Sequence, residues 1–399
     1  MSWPTYDNKH DWPAAEVYAE IFKAVLPTTY VDLIIADEPS KQDAISLMQN
    51  HGISDQLITS KMRFHIMDYA DIWLRDTGPV FVKAGDSTIA VDFKFDGWGW
   101  GLSFIKDQAY KEGIILDEGL DRRIAQSQNI PYITSPLIME GGALEFNGNG
   151  TLLVSEDVVF QRNPLWTKVA VEAEFRRLFG TKKVIWLKGY LGNDAHPVLN
   201  APFKVQFGDG LQDVYTLLTT NGHTDEFIRF INENTVLLAE APPADEAAHN
   251  PIAAKSRETI LKTRQILQSS STESGKPFVV IDFPEVKPLY VNLDSNDDMY
   301  KLMTTLNFDA VGKQDIDENV PMKGVLAASY LNYFIINDVI LLAKYAGYDA
   351  SMATADEEAK QKLQQAFPGK TIVQIDAKAI NVGGGGIHCI TKQMPKLRN

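Results

Sequence analysis

Residues 80–93 read VFVKAGDSTIAVDF, in which two runs of largely apolar residues flank a short polar turn. Alternation with period two is typical of a half-buried β-strand, so the stretch predicts a β-hairpin. The pattern recurs three times, as ALEFNGNGTLLVSE at 143–156, FIRFINENTVLLAE at 227–240 and YFIINDVILLAKY at 333–345. Four similar hairpins predict internal structural repetition.

Segments with helical spacing lie between the hairpins, at 165–178, 253–267 and 356–367, and each is followed by a β-rich run. The predicted unit is therefore strand, strand, helix, strand. A helix near 14–26 followed by VDLIIAD gives another half-unit, whose missing strand we expect from GIHCITKQMP at 386–395. About five units then close into a ring, so we predict one α/β domain over 1–399 with a propeller-like architecture.

The composition is that of a globular protein, with 45% hydrophobic and 23% charged residues. No stretch approaches the roughly 20 apolar residues of a membrane span, and the start lacks the features of a signal peptide, so we expect a cytoplasmic protein. The formal net charge of −14 disfavours nucleic acid and membranes as partners and favours small cations. A homo-oligomer stays an open alternative.

Chemically active side chains directly precede the first three hairpins or occupy the matching place in the last unit. They are Asp76, Glu140, His223 with Asp225, and Cys389 after the glycine run 383–386. Equivalent positions of successive units converge on the axis of a closed ring. We therefore expect three carboxylates, an imidazole and the only thiol of the chain in one pocket.

This set suits attack on a guanidinium carbon. Asp76 and Asp225 can each accept paired N–H bonds from the planar cation. Cys389 is the nucleophile, and an acidic pocket raises its pKa unless a cation offsets the repulsion. His223 can serve as general acid and then general base, with Glu140 orienting the imidazole.

Other side chains have more ordinary interpretations. Trp98 and Trp100, in a Gly-rich loop, either pack in the core or contribute to substrate binding by cation–π attraction. His388 is expected to point away from the nucleophile along a strand and to be structural. Acids such as Asp356 are expected on the surface.

Each candidate residue also has a non-catalytic alternative when considered alone. A lone Cys is usually an inert buried residue, His223 and Asp225 fit a capped turn, and the glycine run fits a bulge. The chain lacks a Cys/His cluster and a Gly-Lys-Ser/Thr phosphate loop, so we expect neither a metal nor a cofactor. The equivalent positions of the candidate residues in successive units favour the catalytic interpretation.

The motifs together resemble the agmatine deiminase family of the guanidino-modifying (pentein) superfamily, which includes the bacterial peptidylarginine deiminases. The resemblance rests on WLRDTGP at 73–79, VDFKFDGWGW at 91–100, the run from Glu140 to Gly189, GHTD at 222–225 and GGGGIHCIT at 383–391. It implies a five-bladed ββαβ propeller without a metal. It also implies catalytic roles for Asp76, Glu140, His223, Asp225 and Cys389.

The sequence departs from the family pattern in three places. Gly386 stands where the family usually has Asn before Ile-His-Cys. The segment before the opening Trp-Pro is shorter than usual. Residues 195–221 are expected to form an inserted loop or hairpin at the mouth of the site.

The predicted activity is hydrolysis of agmatine to N-carbamoylputrescine and ammonia through a covalent thiouronium intermediate, a step of putrescine and polyamine biosynthesis. Arginine, a peptidyl arginine or another alkylguanidine are alternative substrates. A non-catalytic guanidine-binding protein and a thiol hydrolase acting on amides are less favoured, because a nucleophile, a base and three acids suit a cationic substrate.

Overall fold

The structure is a computed structural model that describes residues 1–4, 13–208 and 210–395. It has a mixed α/β fold in which helices alternate with short strands. Within the described residues, no helix is both long enough and apolar enough to cross a membrane.

The strands are short, most of them five residues or fewer. In chain order they are β1 (Val31–Ile35), β2 (Met62–Ile66), β3 (Val80–Ala84), β4 (Ser87–Lys94), β5 (Tyr132–Ile138), β6 (Leu144–Phe146), β7 (Thr151–Ser155), β8 (Lys183–Leu187), β9 (Phe203–Phe207), β10 (Gly210–Thr216), β11 (Ile228–Phe230), β12 (Thr235–Ala239), β13 (Val279–Phe283), β14 (Tyr290–Leu293), β15 (Met322–Val325), β16 (Phe334–Ile336), β17 (Val339–Lys344) and β18 (Thr371–Asp376).

The helices range from one turn to five. In chain order they are α1 (Ala14–Val25), α2 (Glu38–Asn50), α3 (Asp55–Lys61), α4 (Leu74–Thr77), α5 (Gln108–Asp117), α6 (Leu120–Ser127), α7 (Glu156–Arg162), α8 (Lys168–Phe179), α9 (Ala244–His249), α10 (Pro251–Gln268), α11 (Asp298–Thr304), α12 (Ala353–Ala366) and α13 (Lys378–Val382). Single 3₁₀ turns cover Leu102–Phe104, Gly141–Ala143, Gly192–Asp194, Thr224–Glu226, Phe308–Val311 and Ala350–Met352.

Four three-stranded sheets share one strand order. They are β3-β4-β5, β6-β7-β8, β11-β12-β13 and β16-β17-β18. In each, the first two strands pair antiparallel as a hairpin and the third pairs parallel to the second. A parallel neighbour requires a crossover, and helices supply it in all four. The four predicted hairpins and the strand, strand, helix, strand unit are therefore confirmed.

Side-chain chemistry accounts for the tight turns inside these hairpins. Between β6 and β7, Asn147 Oδ1 accepts the backbone N–H groups of Asn149 and Thr151 at 2.8 and 3.0 Å. Between β16 and β17, Asn337 adopts a left-handed backbone with φ +47°, which asparagine tolerates better than most residues. Local polar residues thus help to set the register of these two hairpins.

The C-terminal segment differs from its prediction, because residues 386–395 form turns and loop instead of the missing strand of the first unit. Ile387, His388, Cys389 and Ile390 are all buried, so the apolar pattern reflects burial on every side and not the two faces of a strand. The first unit instead has the parallel pair β1 and β2, and Ser2 forms an isolated bridge to Ile34.

Residues within the segment expected to be inserted, 195–221, form the antiparallel hairpin β9-β10. It joins a four-stranded sheet in the order β14-β15-β10-β9, in which β10 pairs parallel to β15. The described strands form six separate sheets, so no continuous hydrogen-bonded barrel connects the units.

Asp356 is buried, contrary to the expectation that it lies on the surface. Its carboxylate accepts hydrogen bonds from Tyr330 Oη at 2.5 Å and from the backbone N–H groups of Tyr345 and Ala346 at 2.8–3.1 Å. The first turn of α12 is thereby attached to the end of β17. A pattern of helical spacing cannot reveal this, because the donors lie elsewhere in the chain.

We expect Asp356→Ala to lower the free energy of unfolding by about 3 kcal/mol, because two buried donors and one half-buried donor lose their acceptor. Denaturant unfolding followed by circular dichroism measures this. The neighbouring Glu357→Ala, at an exposed position, serves as the control and should change stability by less than about 0.5 kcal/mol. Equal stability of the two variants would contradict the assigned role of Asp356.

Candidate active site

Asp76 lies on the one-turn helix α4, immediately before β3, and is buried. Its Oδ1 accepts the backbone N–H of Gly142 at 2.9 Å, and its Oδ2 accepts the indole N–H of Trp98 at 2.8 Å. The N–H of the preceding Arg75 donates to the carbonyl of Cys389 at 2.9 Å. These bonds fix both the direction of the Asp76 carboxylate and its place beside the thiol-bearing segment.

Glu140 immediately precedes the 3₁₀ turn that leads into β6, and it is completely buried. Arg162 Nε donates to its Oε1 at 3.1 Å, and His223 Nε2 lies 3.4 Å from its Oε2. Burial by itself would raise the pKa of Glu140, but Arg162 and His223 outweigh burial and lower the pKa to about 2. Glu140 is therefore an anion that fixes one side of the imidazole.

His223 precedes the 3₁₀ turn Thr224–Glu226, which leads into β11. Burial favours the neutral ring, but Asp76, Glu140 and Asp225 together raise the pKa of His223 to about 9. Its Nδ1, 3.8 Å from Asp76 Oδ2, has no hydrogen-bond partner among the described residues. A protonated imidazole thus presents a free N–H inside the site.

Asp225 lies on the same turn and is also buried. Its Oδ2 lies 2.5 Å from His388 Nδ1, whereas its Oδ1 has no hydrogen-bond partner in the described part of the chain. Burial, opposed by His223 and reinforced by Asp76, raises the pKa of Asp225 to about 7. This carboxyl is therefore poised to ionise when a cation arrives.

Cys389 lies in the turn 387–390, with 4% of its surface exposed. Asn332 Nδ2 donates toward its Sγ at 3.3 Å, and Glu226 Oε1 lies 3.9 Å away. Burial first, and then the charges of Asp225, Glu226 and Asp76, raise the pKa of the thiol well above its usual value. The thiol needs a nearby cation to become a thiolate near neutral pH.

Gly142 marks the point at which three of these side chains meet. A Cβ atom built on Gly142 would lie 2.5 Å from His223 Nδ1 and 3.1 Å from both Asp225 Oδ2 and Asp76 Oδ1. No side chain fits at such distances. The predicted residues before the first and third hairpins are thus brought together at a backbone position that directly precedes the second.

Position 386 also has no room for a side chain. Its Cβ would lie 2.4 Å from Asn332 Oδ1, the oxygen of the amide that contacts the thiol. Asn332 therefore occupies the space beside the nucleophile where a larger residue at position 386 would project. This sequence lacks the usual Asn at 386, but the side chain of Asn332 still places an amide beside Cys389.

The two loop tryptophans have different positions. Trp98 donates to Asp76 and has a left-handed backbone with φ +57°, which is strained for a non-glycine residue. Trp100 is buried, packs against His196 with ring centroids 4.3 Å apart, and donates to the carbonyl of Thr219. Trp98 thus contacts the site directly, and the contacts of Trp100 are with its surroundings.

Sequence reasoning missed four residues that contact the predicted set, namely Arg162, Glu226, Asn332 and His388. Asn332 was recognisable, because it precedes the fourth hairpin just as Asp76, Glu140 and His223 precede or closely precede theirs. His388 was expected to point away from the site, but it lies in a turn and faces Asp225. Within the described ranges, no group of three His, Cys, Asp or Glu side chains could hold a metal ion.

Nearly the whole chain is similar to known deiminases. A family model for Porphyromonas-type peptidyl-arginine deiminase matches residues 1–198 and 205–395. The agmatine deiminase of Pseudomonas aeruginosa is 27% identical over 411 residues, covering 100% of this chain and 92% of that protein. The agmatine deiminase of Pseudomonas fluorescens is 26% identical, covering 99% of this chain and 92% of that protein.

Solved structures share the fold. The agmatine deiminase of Enterococcus faecalis has a TM-score of 0.72 at 23% identity, covering 100% of this chain and 93% of that one. The agmatine deiminase of C. jejuni has a TM-score of 0.66 at 21% identity, covering 98% of this chain and 90% of that one.

The electrostatics of the site generate a prediction for the thiol. We expect Asp225→Asn to speed alkylation of Cys389 by iodoacetamide at pH 8 by about 10-fold, because removing an adjacent anion lowers the thiol pKa. Mass spectrometry measures labelling unambiguously, since Cys389 is the only cysteine. Glu258→Gln, whose side chain is 64% exposed, is the control with unchanged labelling. Equal or slower labelling of Asp225→Asn would show that Asp225 does not repel the thiolate.

Proposed function

The chain belongs to the Porphyromonas-type peptidyl-arginine deiminase family, and from this membership we propose that it hydrolyses agmatine to N-carbamoylputrescine and ammonia. One observation carries the proposal: a buried thiol, a protonated imidazole and two carboxylates meet where Asp225 Oδ1 and His223 Nδ1 lack partners among the described residues. Buried polar atoms are rarely left unpaired, so these two favour a polar ligand.

The charge balance indicates that this ligand is a cation. Arg75 and Arg229 lie close enough to affect the pKa of Asp225, but Arg75 Nε donates to His388 O and Arg229 donates to Glu145 and to two backbone carbonyls. Among the residues that the structure describes, Asp225 therefore has no arginine bonded to it. A guanidinium bound between Asp76 and Asp225 supplies the missing positive charge.

Binding of the guanidinium also prepares the nucleophile. The substrate cation offsets the repulsion from Asp225, Glu226 and Asp76, so the thiol of Cys389 loses its proton to solvent. The thiolate sulfur then bonds to the guanidinium carbon. One terminal C–N bond breaks as His223 transfers its proton to the departing nitrogen, which leaves as ammonia.

The second half of the reaction reverses these proton transfers. A thiouronium remains on Cys389, and neutral His223 removes a proton from water as its oxygen bonds to the same carbon. The C–S bond breaks and regenerates the thiolate, the remaining hydroxyl proton passes to solvent, and the product is a ureido compound. Glu140, held by Arg162, stabilises the imidazolium at the beginning and the end of the cycle.

The architecture, compartment and partners of the protein can be inferred from the same site and from its charge. We infer that the four repeated sheets and the β1-β2 sheet act as the blades of one five-bladed, single-domain propeller. Support comes from the meeting of residues that precede successive hairpins.

A mechanism that needs a free thiol fits a reducing compartment, so we place the protein in the cytoplasm. The net charge of −14 disfavours nucleic acid as a partner.

Agmatine is the preferred substrate because relatives that span the whole chain carry that activity in their names. Charge gives a second reason: agmatine is a dication, and arginine would bring a carboxylate to an acidic site. The name of the matching family makes arginine or a peptidyl arginine the second candidate.

Ammonia release tests the proposal. We expect kcat/KM for agmatine to exceed that for free arginine by at least about 100-fold, because the arginine carboxylate lacks a cationic partner. A blocked arginine peptide is assayed in parallel, and Cys389→Ser serves as the inactive control. Preference for arginine or the peptide would replace agmatine as the substrate, and equal rates in Cys389→Ser would refute cysteine catalysis.

The two carboxylates generate a separate prediction. Asp76→Asn and Asp225→Asn should each lower kcat/KM for agmatine by about 30-fold or more, equivalent to roughly 2 kcal/mol, because a buried cation loses a charged partner. Steady-state assays measure the ratio against wild type, with the exposed Glu258→Gln as the control. A variant with unchanged kcat/KM would remove that carboxylate from the guanidinium site.

A further inference from the structure

His388 is held within the active site from three directions. Its ring nitrogen Nδ1 lies 2.5 Å from Asp225 Oδ2. Its backbone N–H donates to Asn332 Oδ1 at 2.8 Å, and its carbonyl accepts from Arg75 Nε at 3.2 Å. The ring is buried, and the next residue in the chain is Cys389. His388 therefore has little freedom to turn away from Asp225.

The contact with His388 occupies one oxygen of Asp225 and leaves the other without a hydrogen bond from the described residues. Oδ2 is engaged by His388, and Oδ1 is buried with no partner in the described part of the chain. A carboxylate can otherwise rotate about its Cα–Cβ and Cβ–Cγ bonds. The contact with His388 thus selects the orientation in which Oδ1 is available.

We propose that His388 is a positioning residue, whose Nδ1 holds Asp225 so that Oδ1 receives an N–H of the substrate guanidinium. This rests on the proposed function and assigns a binding role to a side chain outside the reacting atoms. His388 acts on the affinity for the cation, through Asp225, and not on the sulfur.

A neutral imidazole is suited to this task. Burial, together with positive groups on the surrounding segments, keeps the pKa of His388 well below its usual value; these groups are Arg75, Arg229, Lys392 and His223. The acids and thiol that face the pair are Asp76, Glu226 and Cys389. A neutral donor orients Asp225 without cancelling its charge, whereas a lysine there would neutralise the carboxylate and repel the substrate.

Two isosteric amides separate this role from simple packing. The amide nitrogen of Asn can replace Nδ1 of a histidine, whereas that of Gln replaces Nε2. His388→Asn should therefore retain the bond to Asp225, and His388→Gln should lose it. Both substitutions are polar, so burial of an amide affects them alike.

We expect the dissociation constant and KM for agmatine to rise at least about 10-fold in His388→Gln and to stay within about 3-fold of wild type in His388→Asn. The dissociation constant is measured by calorimetry in the Cys389→Ser background, and KM and kcat in the active enzyme. The rate of Cys389 alkylation by iodoacetamide should change less than about 3-fold in both variants. His388→Leu, which lacks any donor, should match His388→Gln and replaces it should that variant not fold.

Different results would overturn the positioning role of His388 and the proposed hydrolysis. Equal agmatine affinity in wild type, His388→Asn and His388→Gln overturns the positioning role, as does equal loss in both amide variants. A matching fall in alkylation rate would also overturn it, since His388 would then act on the thiol. Agmatine binding without ammonia release in wild type would instead defeat the proposed hydrolysis, and the affinity comparison would still decide the role of His388.

Discussion

Negative charge buried around one thiol is the constraint on which this site depends. Four acidic side chains and the sulfur share a region with almost no access to water; the acids are Asp76, Glu140, Asp225 and Glu226. Buried charge is costly unless it is paired. Arg162 pairs with Glu140, and protonated His223 lies among the others, but Asp225 has no bonded cation within the described part of the chain. The raised pKa values of Asp225 and Cys389 are the consequence, and a cationic substrate relieves both.

Close approach of backbone segments makes this concentration of charge attainable. Gly142 lies where His223, Asp225 and Asp76 meet, and Gly386 leaves room for the amide of Asn332 beside the sulfur. Asp76, Glu140, His223, Asp225 and Asn332 lie at or near the start of a hairpin, whereas Cys389 lies in the C-terminal turn 387–390. The hairpins hold their register through side-chain hydrogen bonds in the turns and through a parallel third strand. The hydrogen-bonded hairpins therefore adjoin the glycine-containing segments that form the site.

Much of the candidate site could be predicted by combining hairpin repetition with residue chemistry. Asp76, Glu140, His223 and Asp225 were selected because titratable side chains stood at equivalent positions, and three of them surround Gly142. Asn332 stands at the same position before the fourth hairpin, yet a neutral amide carries no titratable signal. His388 was misjudged because alternation predicted a strand where the chain forms a turn buried on all sides.

The sequence by itself determined the local structure: the four hairpins, the helices between them and the type of chemistry that the conspicuous residues can perform. Strand and helix periodicity arise from contacts between near neighbours, so they are readable from sequence. The tertiary structure alone decided which distant groups meet. The bonding of buried Asp356 to Tyr330 and to the backbone of Tyr345, just after β17, and the pairing of His388 with Asp225 across 163 residues, are examples. Such contacts depend on how sheets pack against one another, and no periodic pattern in the chain encodes that packing.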